Sequence, residues 1–345
     1  MTTALKSSFE QDILDQPTAL ERIADAKLPH EVSELDLGRF DRIILTGMGS
    51  SDYASIPLEL ALAGAGFPVW RLQSSRLLET PRLISPKSLL LATSQSGRSG
   101  EVVALLRSLP NDNRPTIVAV TNDPTSPLAA AAHHVVELNC GSEATVSTKS
   151  YLNTLAVMFR LSAVFLGHGE QRILDEIRSV AGSLKSHLFD PIARIQSIAE
   201  RAVAFKIPRF ALIAGGSDSA TALTGALILK EAAKVAAEGY VGGEFRHGPM
   251  ELAGNGLVAL LLGGSPSGQE TLTRLARDLA ASGSAVVAIA PMNYDGAEHI
   301  AVPESDFSRL VHAMCVLQLL SVEVAKESGI IPGEFRFGQK ITATL

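Results

Sequence analysis

Three hydroxyls, an amide and a glycine stand together in the run Ser94-Gln95-Ser96-Gly97-Arg98-Ser99. The apolar stretch Leu89-Leu90-Leu91-Ala92 precedes them, and a helix-like segment, Gly100–Leu109, follows. A buried strand therefore ends in a loop that opens a helix, whose first N–H groups have no intrahelical acceptor. With Ser94, Ser96 and Ser99, those N–H groups make a cradle of donors suited to a phosphate or another oxyanion. The loop lacks a lysine of the P-loop kind, so it suits a monophosphate better than a nucleoside triphosphate. The alternative is that the serines only cap the helix. Gly49-Ser50-Ser51 repeats the chemistry after an earlier strand, and Thr145-Val146-Ser147-Thr148-Lys149 adds hydroxyls at a further helix start. Parallel strands would bring such loops to one sheet edge, where ligands bind at a switch point.

Three further residues could move protons or hold charge. Glu231 lies in a helix that otherwise reads Ala, Leu and Ile. Burial among small apolar residues would raise its pKa and suit it to act as a base or acid. The alternative is a solvated helix face shared with Lys230 and Lys234. His247, between Arg246 and Gly248-Pro249, could shuttle a proton or open a sugar ring, or only stabilise a turn. Lys340, in the polar tail, is either solvent-exposed or, in a site, able to form a Schiff base or hold an oxyanion.

The elements that must position these residues alternate in type. Strands are predicted at Arg42–Thr46, Val69–Leu72, Ser88–Thr93, Thr116–Val120 and Val135–Leu138, with helices at Tyr53–Ala63, Gly100–Leu109 and Ser126–Ala131 between them. A helical region from about Thr148 to Ala204 comes next. The pattern then restarts with a strand at Arg209–Ala214 and a helix at Ser217–Ala237. Strands at Leu257–Leu262 and Ala285–Ala290 flank a helix at Gln269–Ala281, and a last helix runs about Phe307–Ser328. Such alternation implies parallel sheets wrapped by helices. Arg42-Ile43-Ile44-Leu45-Thr46-Gly47 and Phe210-Ala211-Leu212-Ile213-Ala214-Gly215 each end in Gly before a Ser/Asp helix start, the mark of a duplicated unit. The expected division is a helical segment over 1–35, α/β domains over 36–190 and 191–330, and a tail over 331–345.

Composition narrows the partners. The 345 residues are 46% hydrophobic and 19% charged, enough for a large core. A net charge of −6 argues against nucleic acid, whose phosphates need a basic face. Cys140 and Cys315 have no partner spacing and read as core thiols of a reducing compartment, without a zinc site or disulfide. The apolar runs are strand-length, short of the roughly 18 residues that span a bilayer. With no basic start followed by an apolar stretch, a cytoplasmic protein without membrane partners is expected.

In these motifs the chain resembles the SIS (sugar isomerase) family, and in particular the isomerase half of glucosamine-6-phosphate synthase and the SIS-type glucosamine-6-phosphate deaminases. The matching residues are Glu10-Gln11-Asp12-Ile13, Gln16-Pro17, Gly49-Ser50-Ser51, Ser94-Gln95-Ser96-Gly97, Glu143 to Lys149, Glu231, Gly243 to Pro249 and Gln339-Lys340-Ile341-Thr342, in family order. The resemblance implies two tandem SIS domains, each a doubly wound, flavodoxin-like α/β fold. It implies that Ser51, Ser94, Gln95, Ser96 and Ser99 bind the substrate phosphate, with Thr145 and Ser147 near the sugar hydroxyls. Glu231 falls on the family's catalytic glutamate, His247 on its ring-opening histidine and Lys340 on its C-terminal lysine. A homodimer with shared sites is implied, since that histidine comes from the neighbouring subunit in the synthase. Neither metal nor organic cofactor is implied. The expected activity is isomerisation of a hexose or amino-sugar 6-phosphate, with ammonia released or transferred. A phosphosugar sensor without turnover and a deglycase acting on a fructosamine phosphate are the alternatives. Three departures stand out: Ile228 replaces the synthase's lysine, Phe335-Arg336-Phe337-Gly338 replaces its Pro-Arg-Asn-Leu run, and a glutaminase domain is not expected.

Overall fold

The structure is a computed structural model and describes residues 6–110, 112–205, 207–264 and 266–342. The chain opens with α1 (Ser8–Leu14), α2 (Gln16–Asp25) and α3 (His30–Ser33). Next come β1 (Arg42–Thr46), α4 (Ser50–Tyr53), α5 (Ile56–Gly64), β2 (Val69–Arg71) and α6 (Ser74–Glu79). β3 (Ser88–Thr93), α7 (Gly100–Ser108), β4 (Thr116–Thr121), α8 (Pro127–Ala131) and β5 (His134–Glu137) complete this stretch. The middle is helical: α9 (Lys149–Phe165), α10 (Gln171–His187) and α11 (Ile192–Val203). The pattern resumes with β6 (Arg209–Ala214), α12 (Asp218–Ala233), β7 (Ala236–Val241) and β8 (Leu257–Leu262). The last elements are α13 (Pro266–Ala281), β9 (Ala285–Ala290), β10 (Glu298–Ala301) and α14 (Asp306–Glu327).

Local chemistry explains several boundaries. Ser7 and Glu10 form a capping box that starts α1, and Pro17 sits where α2 needs no amide donor. Ser126 accepts from the Ala129 N–H at 3.3 Å and caps α8, with Pro127 as its first helical residue. The all-buried runs of β3 and β8 mark strands covered on both faces. The helix expected over Ser217–Ala237 instead stops at Ala233, because Lys234 turns left-handed with φ of 58°. The chain then enters β7, an unforeseen strand whose Ala-Ala-Glu-Gly-Tyr-Val sequence is half exposed. β10 escaped notice for the same reason, being a short edge strand with two polar residues.

Two compact units result. Among the described residues, the first comprises Thr18–Glu143, Lys149–Ser179 and the chain from Phe337. The second comprises Ala144–Thr148, Val180–Arg336 and the start of the chain through Pro17. The first unit holds a parallel sheet of order β2-β1-β3-β4-β5, and the second a parallel sheet of order β7-β6-β8-β9-β10. Both therefore have the flavodoxin-like order, with a switch point at β1/β3 in one and β6/β8 in the other. The duplication seen in the strand ends is a duplication of topology.

Each unit also anchors its first post-strand helix with an ion pair. Asp52 of α4 pairs with Arg71 of β2. Asp218 of α12 pairs with Arg309 of α14 at 2.8 Å, both side chains about 5% exposed or less. Removing one member of a buried pair strands the other's charge. Arg309→Met is therefore expected to cost about 3 kcal/mol in urea unfolding, with Asp218→Asn added to it restoring part of the loss. Cys140 and Cys315 are both buried, and burial pushes each thiol up to about 12. Among the described residues, α14 alone is long and apolar enough to cross a membrane, yet 89% of its most apolar window is buried in the protein.

Candidate functional site

The first unit brings the hydroxyl loops to its switch point. β1 runs into Gly49-Ser50-Ser51 and β3 into Ser94–Ser99, and these two strands are neighbours. Ser94 is 2% exposed, Ser51, Gln95, Ser96 and Ser99 are half-buried, and Arg98 is exposed. The loop is tightly fixed. The Gly97 N–H donates to the Ser94 carbonyl at 3.0 Å, the Asn122 N–H to the Gln95 carbonyl at 2.9 Å, and the Leu128 N–H to the Gly97 carbonyl at 3.2 Å. Gly97 holds a left-handed φ of 61°, and a methyl group there would lie 2.0 Å from the Ser126 hydroxyl.

The capping alternative for these serines is not what the structure adopts. Ser99, at the start of α7, makes no side-chain cap bond. The Ser99 hydroxyl instead pairs with that of Ser94 at 3.0 Å. Ser96 accepts from the Arg98 N–H at 3.2 Å. The Arg98 guanidinium is occupied by Asp123 at 2.8 Å, and bonds from Thr125 and Arg98 hold the Asp123 carboxyl down at about 2.

The tail returns to this loop. The Gly100 N–H, first in α7 after Ser99, donates to the Thr342 carbonyl at 3.0 Å. Two residues earlier, the Lys340 ammonium pairs with Glu143, whose side chain is fully buried. Glu143 also accepts from the Ser150 N–H at 2.9 Å and from the Ser150 hydroxyl at 2.6 Å. Burial alone would raise the Glu143 carboxyl; the Lys340 charge and the Ser150 donors outweigh it and hold the carboxyl below its usual range. A carboxylate with a lowered folded pKa stabilises the fold above its ordinary value, here 4.5, and loses that contribution as pH falls through the folded value. Glu143→Gln at neutral pH is expected to release the tail, seen as faster hydrogen exchange at the Gly100 amide. Wild-type protein acidified below that range should show the same release. Sequence spacing gave no sign of this pair, whose members are 197 positions apart.

The second unit holds the remaining candidates, with Glu231 and Thr145 at the end of α12. Glu231 is half-buried, Lys230 is exposed, and Ile228 is 1% exposed in the core. The Gly333 N–H reaches the Ala232 carbonyl at 3.3 Å, so the chain before the tail lies over the helix end. A methyl group at Gly333 would fall 3.1 Å from the Thr145 hydroxyl, placing Thr145 at the same helix end. That hydroxyl is buried without a hydrogen-bond partner. Ser147, two residues on, is half-buried. His247 stands exposed on a turn, its N–H bonded to the Glu244 carbonyl at 3.0 Å. Lys234, named from the sequence only as a neighbour on a possible solvated face, is half-buried, and its ammonium bonds the Glu231 carbonyl oxygen.

Comparison with known proteins agrees with this architecture. A sequence model of the SIS domain matches residues 37–165 and 205–299. The glutamine–fructose-6-phosphate aminotransferase (isomerizing) of Methanocaldococcus jannaschii is 29% identical over 329 residues, 92% of this chain and 29% of that protein. The enzyme of the same name from Pyrococcus horikoshii is 31% identical over 267 residues, 75% of this chain and 44% of that protein. The chain thus spans about half the length, or less, of these curated relatives. Among solved structures, the C-terminal domain of glucosamine-fructose-6-phosphate aminotransferase from Francisella tularensis superposes with a TM-score of 0.82 at 20% identity, covering 95% of this chain and 98% of that one. Tagatose-6-phosphate ketose/aldose isomerase from Escherichia coli gives 0.74 at 20% identity, covering 95% and 94%.

Proposed function

The chain belongs to the SIS domain family, and we propose that it is a phosphosugar isomerase acting on a hexose or amino-sugar 6-phosphate. The observation that carries this reading is the pair of hydroxyl-rich loops that follow β1 and β3 at the switch point, with Ser99 making no side-chain cap bond to α7. A phosphate there would meet Ser51, Ser94, Gln95, Ser96 and Ser99, and would complete the first turn of α7 electrostatically. Lys340, tethered near the same loop, is the candidate to polarise the sugar carbonyl or to form a Schiff base with it.

In this reading Glu231 carries the proton between C1 and C2 of the open-chain sugar, and Thr145 and Ser147 hold sugar hydroxyls. The buried, unpartnered Thr145 hydroxyl supports a polar ligand there. His247 opens the ring. Its exposure suits service to a second copy of the chain, hence a homodimer with shared sites. Proton transfer of this kind draws on no electron carrier. The names of the relatives point to fructose 6-phosphate and glucosamine 6-phosphate as first candidates, with ammonia as a co-product or co-substrate. A cytoplasmic location fits such metabolites. The test is a panel of hexose and amino-sugar 6-phosphates read for both ketose and ammonia. Aldose–ketose interconversion is the expected result. Tight binding across the panel without turnover would overturn the enzyme reading in favour of a sensor.

A further inference from the structure

We propose that Lys234 is a positioning residue for Glu231, its ammonium folded back over the end of α12 to hold that carboxylate's segment and complement its charge. The inference rests on the assignment of Glu231 as the proton carrier. Three non-glycine residues with positive φ are found among the described residues: Asn113, Asn139 and Lys234. Asparagine tolerates the left-handed region, whereas a lysine there is strained where glycine would not be. The end of a helix is where glycine is the usual left-handed residue. This chain keeps a lysine at that point and uses its side chain.

The use is specific. The Lys234 ammonium bonds the Glu231 carbonyl oxygen, one of the last-turn carbonyls that lack an intrahelical donor. It is half-buried, with Arg336 among its charged neighbours and Glu231 and Glu334 as the acids that attract it. Burial, then repulsion from Arg336, lower its pKa, and Glu231 and Glu334 only partly restore it. The strap that carries Glu334 and Arg336 is pinned to the same helix end through the Gly333–Ala232 bond. One turn earlier Ile228 is buried in the core, so no cation flanks Glu231 from that position. A cation is thus kept, against burial and backbone strain, on the main-chain carbonyl of the residue proposed to do the chemistry, whose charge attracts it.

A helix cap alone would explain the carbonyl bond, and the test separates the two roles. Lys234→Gly removes the charge and relieves the left-handed strain. Its melting temperature is expected to stay level or rise. With fructose 6-phosphate as the probe, its Kd should stay within about threefold of wild type while kcat falls about tenfold or more. Lys234→Arg should recover most of the lost kcat, and Lys234→Asn, also tolerant of the left-handed region, should behave like Lys234→Gly. Turnover by Lys234→Gly within twofold of wild type, alongside an inactive Glu231→Gln, would overturn the positioning role and leave the Glu231 assignment standing. Activity that merely tracks lost stability in both neutral variants would also overturn it. Full turnover by Glu231→Gln would instead remove the assignment on which the inference depends.

Discussion

Glu231→Gln is expected to lower turnover of a hexose 6-phosphate by about a thousandfold while leaving its binding within a few-fold of wild type. The amide keeps the size and much of the hydrogen bonding of the carboxylate but cannot take up a proton. The side chain is half-buried at the end of α12, so the change leaves the core, including Ile228 and Leu229, in place. A loss confined to kcat marks an interaction made in the transition state. A loss confined to KM would mark Glu231 as a binding residue only. Steady-state kinetics beside a direct titration of sugar phosphate distinguishes the two.

Gly97→Ala should be the most damaging single change in the first unit. The added methyl would meet the Ser126 hydroxyl at 2.0 Å, Ser126 Cβ at 2.4 Å and the Thr121 hydroxyl at 3.0 Å, on a backbone with φ of 61°. Left-handed strain and overpacking together cost about 3 kcal/mol or more. Relief of the clash would displace the Ser94–Ser99 loop, so affinity for inorganic phosphate and for sugar phosphates should fall together. Gly66→Ala supplies the control. Gly66 also has a positive φ, of 86°, but nothing lies within 4 Å of a methyl group there. It should therefore show the strain alone, as a smaller drop in urea stability with phosphate affinity unchanged. Equal losses in the two variants would mean that the fit of Gly97 against Ser126 contributes nothing to the cradle.

Much of the fold was legible because its central strands are buried on both faces. The runs Ser88–Thr93 and Leu257–Leu262 announce themselves by composition, and the Gly-then-Ser strand ends announce the duplication. The edge strands β7 and β10 were missed because an edge needs no apolar run and both carry charged residues. Lys234 hid the end of α12, since nothing in its residue type signals a left-handed backbone. The hydroxyl-rich loop after β3 was legible in its residues and its place at a strand end, but whether its serines capped a helix was not. That depended on the Ser94–Ser99 pairing, a matter of rotamers rather than spacing. The Glu143–Lys340 pair was invisible for a different reason. Long-range ion pairs arise from topology, and only the return of the tail to α7 brings these residues together.

The proton transfer itself offers the most direct test of the account. Wild-type protein incubated in D2O with fructose 6-phosphate and glucosamine 6-phosphate should place solvent deuterium at the sugar's C1 or C2, followed by NMR or mass spectrometry. Glu231→Gln, binding the same sugars, should place none. Wild-type protein that demonstrably binds these sugar phosphates yet leaves both carbons free of deuterium would contradict the central claim that this chain isomerises a phosphosugar through Glu231.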